Sequence, residues 1–199
     1  MDKLIILGTN VHVLEAIDFA GLDNKYEILG FIGEQDDSQS SFGGYPILGG
    51  LSVLEKYPNA KTIPAYGWTK RENCENWISV SAPNSFISKS AKIGRGCVIF
   101  PNCYIGANAV LGDGILVLSG SIINHDCVIE DNVTFASGVV LAGGVHVKSG
   151  VYLGQSCTVR QNLVLNENCV IGMGAVVTKD VEKNIIVAGN PAKKLRDRP

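Results

Sequence analysis

The stretch "IINHDCVIEDNVTFASGVVLAGGV", residues 122–145, repeats one pattern every six residues: a large apolar residue, a short polar turn and a small or apolar spacer. Counting in steps of six in both directions meets an apolar side chain every time, at Ile87, Ile93, Ile99, Ile105, Leu111, Val117, Ile123, Ile129, Phe135, Leu141, Val147, Leu153, Val159, Leu165, Ile171 and Val177. Short strands and turns with this period are typical of a parallel β-helix, in which three hexads form one triangular coil. Eighteen residues per coil predict about five coils over residues 87–181, stacked about 4.8 Å apart.

Each hexad also has a position, three residues after the large apolar one, that is always Gly, Asn, Asp or Ser. These residues tolerate left-handed and turn conformations, so each hexad is predicted to contain one corner. The spacer that follows is Cys97, Cys103, Cys127, Cys157 or Cys169 in five hexads. We expect these cysteines to be buried wall residues, because their spacing contains no CxxC motif and a chain of this length needs no disulfide framework.

Composition narrows the classes of function. The chain has 199 residues, 46% of them hydrophobic, and a formal net charge of −2. It has no basic patch suited to nucleic acid or to an anionic membrane. No apolar run reaches the ~18 residues of a membrane span, and the N-terminus reads directly into a strand and not as a signal peptide. We therefore expect a cytoplasmic protein with no nucleic-acid partner and no membrane insertion.

A second apolar row lies on the outside of the predicted prism, immediately after the inward spacers. Its members are Val98, Val110, Leu116, Ile122, Val128, Val140, Val164, Val170 and Val176. A lone prism would expose this row to water, which favours a symmetric oligomer that buries prism faces.

Residues 1–81 follow a different pattern. Apolar strands are predicted at "KLIILG", "YEILGFIG" and "KTIPAYG", and helices at "NVHVLEAIDFAG", near "LSVLEKY" and at "KRENCENWISV", with "GGYPILGG" as a connection. Alternating strands and helices predict a small Rossmann-like α/β domain over residues 1–81, followed by a β-helix domain over residues 82–199. The turn "LGTNVH" lacks the GxGxxG fingerprint, so it is either an ordinary βα turn or a phosphate site.

The whole chain resembles a known family of sugar acetyltransferases. The segments that carry the resemblance are "GFIGE", "GGYPILGGLSVL", "INHDCVIED", "LAGGVHVKSGVYLG" and "VVTKDV…VAGNPAKKL". They are similar to the sialic acid O-acetyltransferase and bacillosamine-pathway N-acetyltransferase type of the hexapeptide-repeat acyltransferases. The resemblance implies left-handed coils, whereas the general crossover rule would favour the opposite hand. It also implies a homotrimer, acetyl-CoA as co-substrate without a metal, and a nucleotide-linked amino sugar of bacterial glycan biosynthesis as acceptor.

Two other functions stay open at this point. The same combination of an α/β domain and a β-helix domain suits an enzyme that acetylates a hydroxyl of sialic acid or of another sugar. From a different class, the chain would suit a non-catalytic trimeric binding scaffold.

His125 is the candidate catalytic residue. A polar residue at a corner needs no function, but one coil of eighteen residues after His125 is Gly143, which has no side chain. A thioester carbonyl would reach the backbone there and accept a hydrogen bond from its N–H, while the imidazole faces the incoming nucleophile. The resemblance assigns the general base to His125 and the acid that raises its basicity to Asp126.

Further binding residues are expected around both substrates. For acetyl-CoA, which the resemblance places in a groove between two prisms, they are Gly143, Ala142, Thr134, His146, Gln155, Gln161, Met173 and Lys193. For the nucleotide of the acceptor, at the carboxyl ends of the first-domain strands, they are Gly8, Thr9, Asn10, His12, Gly33, Glu34 and Gly67. For His146, packing at an interface is the favoured alternative to a donor contact. A zinc site of His12, His125 and His146 is not expected, because no pair has the close spacing that adjacent coils require.

Overall fold

The computed structural model describes residues 1–33, 41–65 and 74–198. The chain divides into two compact units, Met1–Val80 and a second that begins at Ser81. Glu34 and Gly67, which are expected to bind the acceptor, lie outside the described residues.

The first unit is built on a five-stranded sheet. Its strands are β1 (Asp2–Leu7), β2 (Tyr26–Ile32), β3 (Ser41–Phe42), β4 (Tyr45–Gly49) and β5 (Lys61–Pro64), in the order β3-β4-β2-β1-β5. All neighbours are parallel except the β3–β4 hairpin. The described core of this unit centres on Ile5, Leu7, Ile32, Leu54, Ala60 and Trp77. Burial of these apolar side chains stabilises the sheet.

The helices of the first unit are short. Those within the described residues are α1 (Val11–Ala20), α2 (Leu22–Lys25) and two 3-10 helices, Leu51–Lys56 and Cys74–Asn76. The Asn10 side chain accepts a hydrogen bond from the N–H of His12 and so caps α1, while Gly21 ends it in a left-handed conformation.

Three expectations for the first unit need correction. The "YPILG" segment is strand β4 and not a connection; its ladder to β2 is interrupted by a register shift, which makes its pattern hard to recognise. The "LSVLEK" segment forms a 3-10 helix. The helix predicted at "KRENCENWISV" is wrong for Trp77 onward, because Trp77 forms a parallel bridge with Thr62; residues 70–73 lie outside the described residues.

The second unit is a prism whose three faces consist of two-residue strands, with two longer strands at the C-terminal end of face 3. Face 1 contains Phe86–Ile87, Tyr104–Ile105, Ile122–Ile123, Val140–Leu141, Thr158–Val159 and Val176–Val177. Face 2 contains Lys92–Ile93, Val110–Leu111, Val128–Ile129, His146–Val147 and Val164–Leu165. Face 3 contains Val80–Ser81, Val98–Ile99, Leu116–Val117, Thr134–Phe135, Tyr152–Leu153, Val170–Ile171, Ile185–Ala188 and the antiparallel Lys193–Asp197.

The register confirms the hexad pattern. Partners in adjacent coils are eighteen residues apart, as in Tyr104↔Ile122 and Val128↔His146. Every corner from Gly96 to Gly174 has a positive φ, at Gly, Asn, Asp or Ser alike. Cys97, Cys103, Cys127, Cys157 and Cys169 are buried free thiols, as expected.

The outward apolar row is only partly exposed. Val110 and Val128 on face 2 are 38% and 39% exposed, whereas Val98 and Leu116 on face 3 are buried. Phe86 and Tyr104 on face 1 add a stacked aromatic pair, with ring centroids 5.0 Å apart, that is also exposed. Among the described helices, none is long and apolar enough to cross a membrane.

Candidate active site

His125 lies at the corner that joins face 1 to face 2, between Ile123 and Val128. Its side chain is 67% exposed. Asp126 occupies the left-handed position of this corner, with φ of 60°. The inward spacer Cys127 is fully buried, so the chain turns sharply and directs the polar pair away from the core.

The two side chains form a close pair. His125 Nδ1 lies 2.7 Å from Asp126 Oδ2. The hydrogen bonds from His125 and, secondarily, from Asn108 lower the pKa of the Asp126 carboxyl. An ionised carboxylate only accepts, so Nδ1 carries the proton of this hydrogen bond and the lone pair of a neutral imidazole is on Nε2. Nε2 has no hydrogen-bond partner among the described residues.

The ring rests against the backbone of Gly143, one coil further along the chain. A Cβ on Gly143 would meet His125 Cε1 at 2.5 Å and Nε2 at 2.7 Å. Any side chain at this position would therefore displace the imidazole. The Gly143 carbonyl accepts a hydrogen bond from the Asn162 N–H, but the Gly143 N–H donates none to the described part of the chain.

The pair opens onto a surface cavity of about 350 Å³. Its lining residues are His125, Asp126, Gly143, Gly144, Gln161 and Asn162. The cavity is thus lined by an imidazole nitrogen and a backbone N–H that have no hydrogen-bond partner within the described ranges. These groups suit proton removal from a nucleophile and hydrogen bonding to a developing oxyanion.

The residues expected to bind acetyl-CoA fall into two groups. Ala142, Gly143 and Gln161 lie on the same corner as His125, one or two coils further on. The others lie elsewhere on the prism: His146 on face 2, Thr134 and Lys193 on face 3, and Gln155 and Met173 between faces 3 and 1. Met173 is 76% exposed.

The residues expected to bind the acceptor nucleotide end two neighbouring strands of the first unit. Gly8, Thr9, Asn10 and His12 follow β1 or begin α1, and Gly33 follows β2. Leu7 and Ile32 are partners in the parallel ladder, so both strands end at the same edge of the sheet. The His12 Nδ1 lies 3.1 Å from Glu15 Oε2.

A second histidine–carboxylate pair occupies face 2. Glu130 Oε1 accepts from His146 Nε2 at 3.0 Å and from Lys148 Nζ at 2.9 Å, and Oε2 accepts from the Ser149 N–H and hydroxyl. The hydrogen bond from Lys148 is the largest of the effects that hold the pKa of Glu130 at about 2. The only direct sequence signal for this cluster is the eighteen-residue spacing of Glu130 and Lys148.

Four of the buried cysteines of the prism are poorly suited to carry an acyl group. Burial raises the pKa of the Cys103 and Cys127 thiols, and it raises those of Cys157 and Cys169 to about 12. A thiol in this state is a poor nucleophile. Within the described ranges no three His, Cys, Asp or Glu side chains are grouped to hold a metal ion.

Sequence reasoning missed three residues of the site. Asn108 donates from Nδ2 to Asp126 Oδ1 at 3.1 Å, and Gly144 and Asn162 line the cavity. The four corner residues Asn108, Asp126, Gly144 and Asn162 are each eighteen residues apart, so the coil length was the signal that would have found them.

Comparison with known proteins finds matches for this fold. Residues 108–143 match the family model for the bacterial transferase hexapeptide (six repeats). Among curated proteins, no sequence match was found.

Solved structures match over nearly the whole chain. The acetyltransferase domain of PglB from Neisseria gonorrhoeae is 26% identical, with 98% of this chain and 100% of that chain covered and a TM-score of 0.85. WeeI from Acinetobacter baumannii is also 26% identical, with 97% and 100% covered and a TM-score of 0.83. A mutant GDP-perosamine N-acetyltransferase from Caulobacter crescentus, solved with CoA and GDP-perosamine, shares the fold at 20% identity, with 99% and 98% covered and a TM-score of 0.89.

The left-handed parallel β-helix with an N-terminal α/β region is therefore confirmed. The predicted likeness to sugar acetyltransferases of the hexapeptide-repeat type is confirmed as well.

Proposed function

We propose that the protein transfers the acetyl group of acetyl-CoA to the amine of a nucleotide-linked amino sugar, as a cytoplasmic enzyme of bacterial glycan biosynthesis. The single observation that carries the proposal is the exposed His125–Asp126 pair, stacked on the bare backbone of Gly143, with an Nε2 that no other described residue contacts by a hydrogen bond. The PglB domain has also been solved with acetyl coenzyme A, which supports this donor.

The proposed reaction is a direct transfer. The sugar amine attacks the thioester carbonyl carbon, His125 Nε2 takes the amine proton, and Asp126 holds the imidazolium that forms. The Gly143 N–H donates to the oxygen of the tetrahedral intermediate. The C–S bond then breaks, and the CoA thiolate leaves with the proton that the His125 imidazolium returns, which restores the neutral base.

The proposed donor site runs from this corner along the prism. Ala142, Gly143 and Gln161 would flank the thioester end because they share the corner with His125. Thr134, Gln155, Met173 and Lys193 lie on other faces or corners, so they would take part through a neighbouring subunit. His146, which pairs with Glu130 on face 2, would pack there and not contact the donor.

A homotrimer is part of the proposal. Val110 and Val128 form an exposed apolar strip on face 2, close in sequence to the catalytic corner, and such a strip favours burial against another subunit. Val128→Glu would place a charge in that contact and is expected to shift the protein from trimer to monomer in light scattering. Trimers that persist would exclude this strip as the interface.

The acceptor site is proposed at the carboxyl edge of the first-unit sheet, formed by Gly8, Thr9, Asn10, His12 and Gly33 together with Glu34 and Gly67. The end of a parallel strand followed by the N-terminus of α1 suits a phosphate group. Asn10 already accepts hydrogen bonds from the N–H groups of His12 and Val13, so a phosphate would bind at the start of the turn, at the N–H of Val11.

The direct test is release of free thiol from acetyl-CoA with a panel of acceptors. Nucleotide-linked 4-amino sugars are expected to give rapid release, free sialic acid little, and buffer alone none. Release only with sialic acid would favour O-acetylation, and no release with any acceptor would favour the non-catalytic scaffold.

A further inference from the structure

Asn108 lies one coil before Asp126 and contacts the carboxylate that holds His125. Its Nδ2 donates to Asp126 Oδ1 at 3.1 Å, while Oδ2 accepts from His125 Nδ1 at 2.7 Å. The two oxygens of Asp126 therefore have separate partners. The hydrogen bond to Oδ1 fixes the carboxylate to the prism, and the hydrogen bond to Oδ2 fixes the imidazole.

Asn108 is itself held in place. Its backbone N–H donates to the Ser90 hydroxyl at 3.0 Å, and its φ of 59° keeps it in the left-handed corner conformation. The Asp126 N–H in turn donates to the Ala107 carbonyl at 2.9 Å. The result is a hydrogen-bonded column of three coils, Ser90–Asn108–Asp126, that ends on His125.

This column matters because Asp126 is exposed. Its side chain is 56% exposed, so packing alone does not select one rotamer. A second hydrogen bond to the other oxygen restricts rotation of the carboxylate. With the carboxylate fixed, Nδ1 keeps the proton and Nε2 keeps the lone pair that faces the cavity.

We propose that Asn108 is a positioning residue of the acetyl transfer: it orients the Asp126 carboxylate and thereby sets the tautomer and orientation of His125. The inference rests on the proposed function. The groups around Asp126 support it, because the neighbouring coil segments "GANA" (106–109) and "AGGV" (142–145) contain no titratable side chain. His125 and the buried, protonated thiol of Cys127 are the titratable neighbours on its own coil.

The test uses Asn108→Gly in the full-length protein, with Asn132→Gly as matched control. Both asparagines have a positive φ, near 60°, that glycine adopts freely, so both substitutions keep the corner. Asn132 lies between faces 2 and 3, away from His125. Three quantities are measured: kcat, the KM for acetyl-CoA, and the protonated nitrogen of His125 by ¹⁵N NMR.

Asn108→Gly is expected to lower kcat about tenfold with little change in the KM for acetyl-CoA, because a lost orienting partner typically costs 10–100-fold. The ¹⁵N spectrum should gain the tautomer with the proton on Nε2. Asn132→Gly should match the wild type in all three quantities.

Two results would overturn the inference. A wild-type kcat and tautomer in Asn108→Gly, with His125→Ala inactive, would reject the role of Asn108 and leave the proposed function standing. Full activity in His125→Ala would reject the proposed function, and the role of Asn108 with it.

Discussion

Two histidine–carboxylate pairs lie on the same prism, and they differ in how many partners they have. His125 and Asp126 are adjacent in sequence, 2.7 Å apart, and 67% and 56% exposed. His146 and Glu130 are 3.0 Å apart, about one-third exposed, and joined to Lys148 and Ser149. A close imidazole–carboxylate contact therefore occurs in two unlike settings.

The reactive pair is therefore distinguished by an imidazole nitrogen that a substrate can reach, and not by the short distance between imidazole and carboxylate. Both oxygens of Glu130 are saturated, and its partner His146 uses Nε2 for the contact. His125 uses Nδ1, which leaves Nε2 facing a cavity with the Gly143 backbone beneath it. The first arrangement links two coils, and the second is able to accept a proton from a substrate.

The largest expected effect is the loss of transfer in His125→Ala. Removing a positioned general base typically costs 10²–10⁴ in rate, so thiol release should fall by about that factor. The free energy of unfolding should change by no more than about 0.5 kcal/mol, because the side chain is largely exposed. Affinity for acetyl-CoA, measured by calorimetry, should be roughly kept.

His146→Ala is the matched control for this variant. Without the His146 side chain, Glu130 keeps its hydrogen bonds with Lys148 and Ser149, so the rate of acetyl transfer should change less than about threefold. A rate loss in His146→Ala as large as that in His125→Ala would abolish the distinction between the two pairs.

Gly143→Ala should be the next most damaging change. The new Cβ would overlap Cε1 and Nε2 of the imidazole, which has room to rotate toward solvent. Displacement of the base by about 1 Å is expected to cost about 10²-fold in kcat, with a much smaller loss of stability.

The control for Gly143→Ala is the same substitution in a His125→Ala background. If the methyl group acts through the imidazole, it should cause no further loss of rate there. Wild-type turnover in Gly143→Ala would show that the stacked position of the ring is not needed.

Asp126→Asn should have an intermediate effect. Asparagine occupies five other corners of the same kind with positive φ, so the turn should stay intact. The neutral amide no longer stabilises the imidazolium, and a loss of about 10- to 100-fold in kcat is expected. Steady-state kinetics of Asp126→Asn and His125→Ala would measure the difference in kcat between the two variants. An equal loss of kcat in both would mean that the carboxylate charge matters as much as the imidazole base.

The smallest effect on catalysis is expected for Glu130→Gln. The rate should stay near that of the wild type, while the free energy of unfolding should fall by about 1 kcal/mol at neutral pH, discounted for partial exposure. The pKa of Glu130 is depressed to about 2 in the folded protein, so its contribution is complete above the ordinary value near 4.5 and is lost as the pH falls toward 2. Chemical denaturation of the wild type and of Glu130→Gln across this pH range should show that their free energies of unfolding converge at low pH. A difference in free energy that does not change with pH would contradict the ion pair.

Much of the prism could be predicted from its sequence because one rule acts at every coil. A corner needs a residue that tolerates a positive φ, a wall needs an apolar side chain, and eighteen residues return to the same face. The same arithmetic predicts the contact between Gly143 and His125.

The first unit was less predictable because its elements are held by contacts that leave weak local signals. Strand β4 contains Pro46 and pairs with β2 at only Phe31↔Ile47 and Ile32↔Gly49. Its tight approach requires Gly30, since a Cβ there would overlap the Pro46 carbonyl oxygen. In the site, Asn108 was missed for a related reason: as a corner residue it looks like the other asparagines until its amide is seen on Asp126.

Chemical rescue of His125→Ala by added imidazole tests the central claim most directly. The site is open to solvent, so a free imidazole molecule has access to the space over Gly143 that the side chain leaves. We predict that thiol release by His125→Ala, with a nucleotide-linked amino sugar as acceptor, rises with the concentration of unprotonated imidazole, whereas His146→Ala does not respond. Wild-type turnover by His125→Ala without imidazole, or an equal response of both variants, would contradict the assignment of His125 as the base.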